Sequence, residues 1–117
     1  MSSADTFSVA YTVRASFPDT ASRDDYIAWL INEHIADVIA HGAQSGCVIK
    51  HDSSIGDSIK APFLVEARYI FSSRDAYETY INEQAPKLRA IGLAKFAHLQ
   101  GVSFERTVGV ILPPSLA

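Results

Sequence analysis

WLINEHIADVIAHG (residues 29–42) returns in outline fifty residues later as TYINEQAPKLRAIG (79–92). Sliding the chain by 50 pairs Ser22 with Ser72, Asp25 with Asp75, Ile31 with Ile81, Asn32 with Asn82, Glu33 with Glu83, Ala40 with Ala90 and Gly42 with Gly92. These are seven identities in 21 positions, against roughly one or two expected by chance, so a repeated unit is the economical explanation.

Each copy reads as a helix between strands. Phe7, Val9, Tyr11, Val13, Ala15 and Phe17 alternate with smaller or polar residues, the period of a strand with one buried face. Pro18 and Asp19 end it, and Ser22 with Asp25 resembles a capping box at the start of a helix that Gly42 stops. Residues 46–52 form a second predicted strand, SSIGDSIKAP (53–62) a polar loop, and FLVEARYIF (63–71) a third strand. Ser72 and Asp75 open the second helix, whose last turns Pro86 starts or kinks, and residues 102–112 close the domain as a fourth strand. Strand, helix, strand, strand, helix, strand is the ferredoxin-like split βαβ order: an α+β fold with a four-stranded antiparallel sheet and two helices on one face. The expectation is one domain over residues 1–117.

Composition narrows function by exclusion. Ten Lys and Arg against 13 Asp and Glu give a net charge of −3, with no basic run to follow a phosphate backbone. The aromatic residues Tyr11, Tyr69 and Phe71 fall on the inward side of their strands rather than on the surface an RNA-binding sheet needs. No long apolar stretch or leader-like start is present, so a soluble, cytoplasmic protein without nucleic-acid or membrane partners is expected. A single cysteine, Cys47, excludes an internal disulfide and reads as a buried structural thiol.

The histidines carry the functional question. On a uniform helix turning about 100° per residue, Ile27, Leu30, Ile31, His34, Val38 and His41 share the sheet-facing stripe. The same wheel places Tyr77, Tyr80, Ile81, Gln84, Leu88 and Ile91 inward on the second helix, so both copies carry a polar inward residue, His34 or Gln84. Trp29, Tyr26 and Glu33 fall on the opposite face, where Trp29 and Tyr26 are candidate contacts to a second subunit or lie under a loop. No metal is expected: His34 and His41 lie roughly 10 Å apart along the axis and no histidine pair has zinc-site spacing. On the far side of the sheet Arg14, Glu66 and Arg68, with Lys50 beside them, form either an ion-paired surface or the inside of a dimeric barrel able to hold an anion.

WLINEHIADVIAHG, YINEQAPKLRAIGLAKF and FERTV together resemble a family of short, uncharacterised bacterial proteins of the dimeric α/β-barrel kind, classed as a domain of unknown function. The resemblance runs from about Phe7 to Val110. Trp29, Glu33, His34 and Ile35 match its Glu-His-Ile-Pro-like motif, with Ala36 in the proline's place. Ala85, Pro86, Leu88 and Arg89 match a His-Ala-Pro motif in which Gln84 replaces the histidine. Phe104 and Arg106 look like the family's Phe-Arg pair with Glu105 inserted as a bulge. The resemblance implies the fold and a homodimer, and supplies no activity. Two functions remain open from the residues. The first is a cleft between helix and sheet, free of any cofactor, where His34 acts as polar contact or general base and Gln84, Arg14, Arg68 and Glu66 hold a small anionic or aromatic ligand. The second is a non-enzymatic interaction or stress-responsive module in which His34 only satisfies the core.

Overall fold

Period-two patterning becomes a sheet in which every neighbouring pair is antiparallel. The computed structural model describes residues 7–52 and 63–114, so the polar loop expected at 53–62 lies outside the described residues. Strands β1 (Val9–Ser16), β2 (Ser45–Lys50), β3 (Leu64–Phe71) and β4 (Ser103–Val110) lie in the order β2-β3-β1-β4. In the register Tyr11 faces Tyr69 and Val108, and Arg14 faces Glu66 and Glu105. Val9, Tyr11, Ala15, Val65, Tyr69 and Phe71 are buried on the face that two helices cover, α1 (residues 20–40) and α2 (residues 74–97). This is the ferredoxin-like arrangement expected from the strand pattern.

The helix starts differ from the expected capping boxes. Asp19, extended at φ −153°, caps α1; its carboxylate accepts from the Ser22 amide at 2.8 Å and the Ser22 hydroxyl at 2.7 Å. Ser22 thus donates from inside the first turn rather than capping it. In α2 the cap is Ser73, whose hydroxyl accepts from the Ala76 amide at 3.1 Å. The adjacent serines, Ser72 and Ser73, offer the same chemistry, and only backbone geometry selects between them.

Neither helix is uniformly α. Thr20–Trp29 and Ile35–Ala40 flank a π-turn at Leu30–His34, closed by the Ile35 amide donating to the Leu30 carbonyl. Fifty residues on, Tyr80–Gln84 is a second π-turn, closed by the Ala85 amide on the Tyr80 carbonyl, and a third follows at Leu93–Ala97. A π-turn holds roughly one extra residue, so it turns everything beyond it back by about one position. The buried stripe therefore runs through Arg23 and Tyr26 to Leu30, the first residue of the π-turn, and resumes after it at Val38. Ile31 is 62% exposed and Ile91 46%, although a uniform wheel puts both inward. Tyr26, placed outward by the same wheel, is 3% exposed and packs among Phe17, Phe96 and Phe104. Pro86, which has no amide hydrogen to give, sits at the start of Ala85–Gly92, just after its π-turn.

The two repeated glycines have different jobs. Gly42 follows the end of α1 at φ 134°, a conformation that disfavours a side chain. Gly92 does not stop α2, which continues through Leu93–Ala97. A Cβ there would lie 2.8 Å from Trp29 Cη2, so the missing side chain is the seat of the indole.

The capping assignment makes a direct test. Ser73→Ala is expected to cost about 1 kcal/mol in urea unfolding, while Ser72→Ala, on an exposed residue, changes stability by less than about 0.5 kcal/mol.

Candidate functional site

With the faces fixed, the core opens into a cleft between both helices and the sheet. Tyr11 and Tyr69 form its floor, Tyr26 and Trp29 one wall, Tyr80 and Leu88 the other. His34, Arg89 and Arg106 supply its nitrogen groups. The cavity is small, about 40 Å³, room for only a few water-sized atoms. Trp29 and His34 also line an outer groove of about 590 Å³ with Glu33, Asp37 and Lys95. Their rings stack at 4.3 Å and 18°. The pair is therefore the partition between inner cavity and outer groove.

Burial sets the chemistry of the cleft. It pushes the His34 imidazole down to about 4, a shift that the Asp37 carboxylate only partly opposes, so the ring is neutral at pH 7. Burial also drives the Tyr69 and Tyr26 hydroxyls above their ordinary range and Tyr80 up to about 12. The phenols remain protonated donors. Tyr69 is 1% exposed, and its hydroxyl has no hydrogen-bond partner among the described residues. Leaving such a group unpaired costs about 1 to 3 kcal/mol.

The expected site residues divide between two places. His34 lines the cleft, as the inward stripe requires, and its ring meets Tyr69 edge-on at 6.3 Å. Gln84 occupies the matching last position of its π-turn, and the neighbours Ala85, Leu88 and Arg89 line the cleft where Gln84 does not. Trp29 and Tyr26 are turned into the chain's own packing rather than outward, because the π-turn rotates the face. Arg14, Glu66 and Arg68 sit on the opposite side of the sheet and cannot reach a ligand in the cleft.

On that far side Glu66 is the hub. It is 7% exposed, with Arg14 Nε 3.1 Å and His51 Nε2 3.3 Å from Oε1, neither aligned as a hydrogen bond. Arg68 Nη2 donates to Oε2 at 3.0 Å. Lys50 does not join this group: it pairs with Val65 and faces the other way, so His51 takes the place expected for it. Cys47, opposite Arg68 on the same face, is exposed rather than buried. His41 leaves the inward stripe, is exposed, and its Nδ1 donates to the Asp37 carbonyl at 2.7 Å.

Arg106 and Arg89 were the missed members of the cleft. Phe104, Glu105 and Arg106 face Ala15, Arg14 and Val13 in unbroken register, so Glu105 is no bulge. Strand alternation alone therefore puts Arg106 beside Phe104 on the apolar side, a signal present in FERTV. Arg89 has no such signal, since its position follows from the π-turn before it.

His34 generates a pH test. The unfolded chain takes up the proton near the ordinary 6.5 and the fold only near 4, so the contribution is complete above about pH 6.5 and is lost as pH falls toward 4. Denaturant midpoints measured from pH 7 to 5 are expected to fall more steeply for wild type than for His34→Gln; parallel curves would contradict a buried neutral imidazole.

Comparison with known proteins agrees with this architecture. A dimeric ferredoxin-like protein from an uncultured marine organism superposes with a TM-score of 0.69 at 10% identity, covering 93% of this chain and 99% of its own. A monooxygenase of Streptomyces coelicolor, solved with the ligand nanaomycin D, gives 0.67 at 10% identity, covering 96% and 94%. A cofactor-independent oxygenase of Streptomyces nogalater gives 0.61 at 10% identity, covering 93% and 96%. At such identities the likeness is one of fold. No curated protein matches the sequence. No helix among the described residues is long and apolar enough to cross a membrane. The family described as "Domain of unknown function (DUF4286)" matches residues 6–111, and the chain belongs to it.

Proposed function

We propose that the protein is a homodimer that binds a small aromatic ligand in the cleft between its helices and sheet. The observation that carries this reading is the Tyr69 hydroxyl: buried, protonated and without a hydrogen-bond partner among the described residues, on a side chain that lines an aromatic cavity. A ligand oxygen accepting from it would end the cost of an unmade hydrogen bond. The neutral His34 ring offers a second polar contact. With a pKa of about 4 it is a weak base at neutral pH, which favours binding over proton abstraction. Because the cavity has room for only a few water-sized atoms, entry of a ring would require the Trp29–His34 partition to move toward the outer groove that both side chains also line.

Cofactor-free acid/base chemistry on the bound ring is the second reading. It draws on the fold shared with the two Streptomyces oxygenases, and oxygen uptake with a hydroquinone in air, lost in His34→Gln, is its sign.

The far sheet face is the proposed dimer surface. Its buried Glu66 hub, with Arg14 and Arg68 held in place, presents ordered charge on the face away from the two described helices, and the marine neighbour is described as dimeric. Arg14, Glu66 and Arg68 then order the interface rather than the ligand.

Two measurements test these readings. Calorimetric titration with phenol is expected to show binding that Tyr69→Phe weakens by about tenfold, the value of one buried hydrogen bond; equal affinity in the two proteins would remove the central observation. Sedimentation equilibrium is expected to give twice the 12.7 kDa chain mass. Arg68→Glu, which sets a like charge beside Glu66, is expected to shift the protein toward monomer.

A further inference from the structure

The cleft has a charge pattern opposite to that of the chain. The protein carries a net charge of −3, yet the cavity lining holds two guanidinium groups, Arg89 and Arg106, and no carboxylate. They reach it from different elements, Arg89 from α2 and Arg106 from β4. Neither forms an ion pair among the described residues, whereas Arg14 and Arg68 are both taken by Glu66. Arg106 is held by its Cζ lying 5.9 Å from the centroid of the Phe104 ring, itself part of the lining. Arg89 is half-buried and Arg106 exposed, and two like charges sharing one cavity repel each other, the more so where water is excluded. An anion between them turns that repulsion into paired, charge-assisted hydrogen bonds.

We propose that Arg89 and Arg106 form an anion clamp at the cleft, so that the ligand is an aromatic carboxylate whose ring oxygen meets Tyr69. The inference rests on the binding reading above and adds the substrate class. The tyrosine floor takes the ring, the buried hydroxyl of Tyr69 donates to an oxygen on it, and the guanidiniums hold the carboxylate at the other end. The fields of these charges already reach the wall. Arg106 acts on Tyr26 of α1 and Tyr80 of α2, and Arg89 on Tyr80, each opposing the upward push of burial.

A matched pair of probes separates the two ideas. 4-Hydroxybenzoate and its methyl ester share the ring and hydroxyl and differ only in charge. Calorimetry on the full chain is expected to show the acid binding at least tenfold more tightly than the ester, with the ratio shrinking as salt is raised. In the double variant Arg89→Gln, Arg106→Gln the ratio is expected to fall toward one, and in Arg106→Lys to recover in part. Thermal melting of each variant controls for folding. Equal binding of acid and ester to wild type would overturn the clamp and leave the aromatic cleft standing. Retention of the preference in the double variant would move the anion site elsewhere. Binding of neither probe at millimolar concentration would overturn the cleft reading itself, and the clamp with it.

Discussion

Both described helices hold, at matching places in the two halves, one residue too many for an α-turn, and α2 repeats the departure near its end. The Ile35 amide reaches Leu30, and the Ala85 amide reaches Tyr80, five residues back instead of four. That choice decides which side chains become core. It sets Tyr26 inward ahead of the turn, in line with Leu30 at the turn's first residue, and keeps Val38 inward behind it, so one helix serves a continuous apolar surface with two different faces. It also brings Trp29 inward onto His34 and toward α2, from which the cavity, its partition and the outer groove all follow. π-turns of this kind are found often at functional sites, and here the last residue of the first one is the histidine that lines the cleft.

The strands were legible because a period of two tolerates no ambiguity about faces. Val9, Tyr11, Ala15 and Phe71 went where alternation put them, and Arg14, Glu66 and Arg68 met on the other side. Lys50 and His51 show the limit: a one-residue difference in where β2 is counted exchanges the faces, and His51 is the one that reaches Glu66. The helices were legible in extent but not in orientation. A wheel drawn at constant angle makes no allowance for an extra residue, which is why it puts Ile31, Ile91, Tyr26 and Trp29 each on the wrong side. The cap at Ser73 was one residue from the expected one because two adjacent serines read alike.

The sheet separates two kinds of electrostatics only one strand thickness apart. On one side Glu66 accepts a hydrogen bond from Arg68 and stands as close counter-charge to Arg14, with His51 beside it, a set with little left to offer a ligand. On the other, neutral His34 and protonated tyrosines line a cavity whose charged side chains are two arginines, neither in an ion pair among the described residues. Both sets are visible in the sequence as though they made one site; the backbone of β1 and β3 stands between them. The consequence is that the proposed ligand cleft and the proposed dimer surface have no named side chain in common, so each can be altered by its own substitutions.

Gly42 and Gly92 occupy matching places in the two halves, yet one terminates a helix and the other lies inside one. At the first, absence of a side chain frees the backbone; at the second, it makes room for a ring belonging to the opposite half. The symmetry of the chain is thus broken by what approaches the residue and not by the residue itself. A glycine that reads as punctuation in one half has become a keyhole in the other, and only the half that owns the tryptophan holds the key.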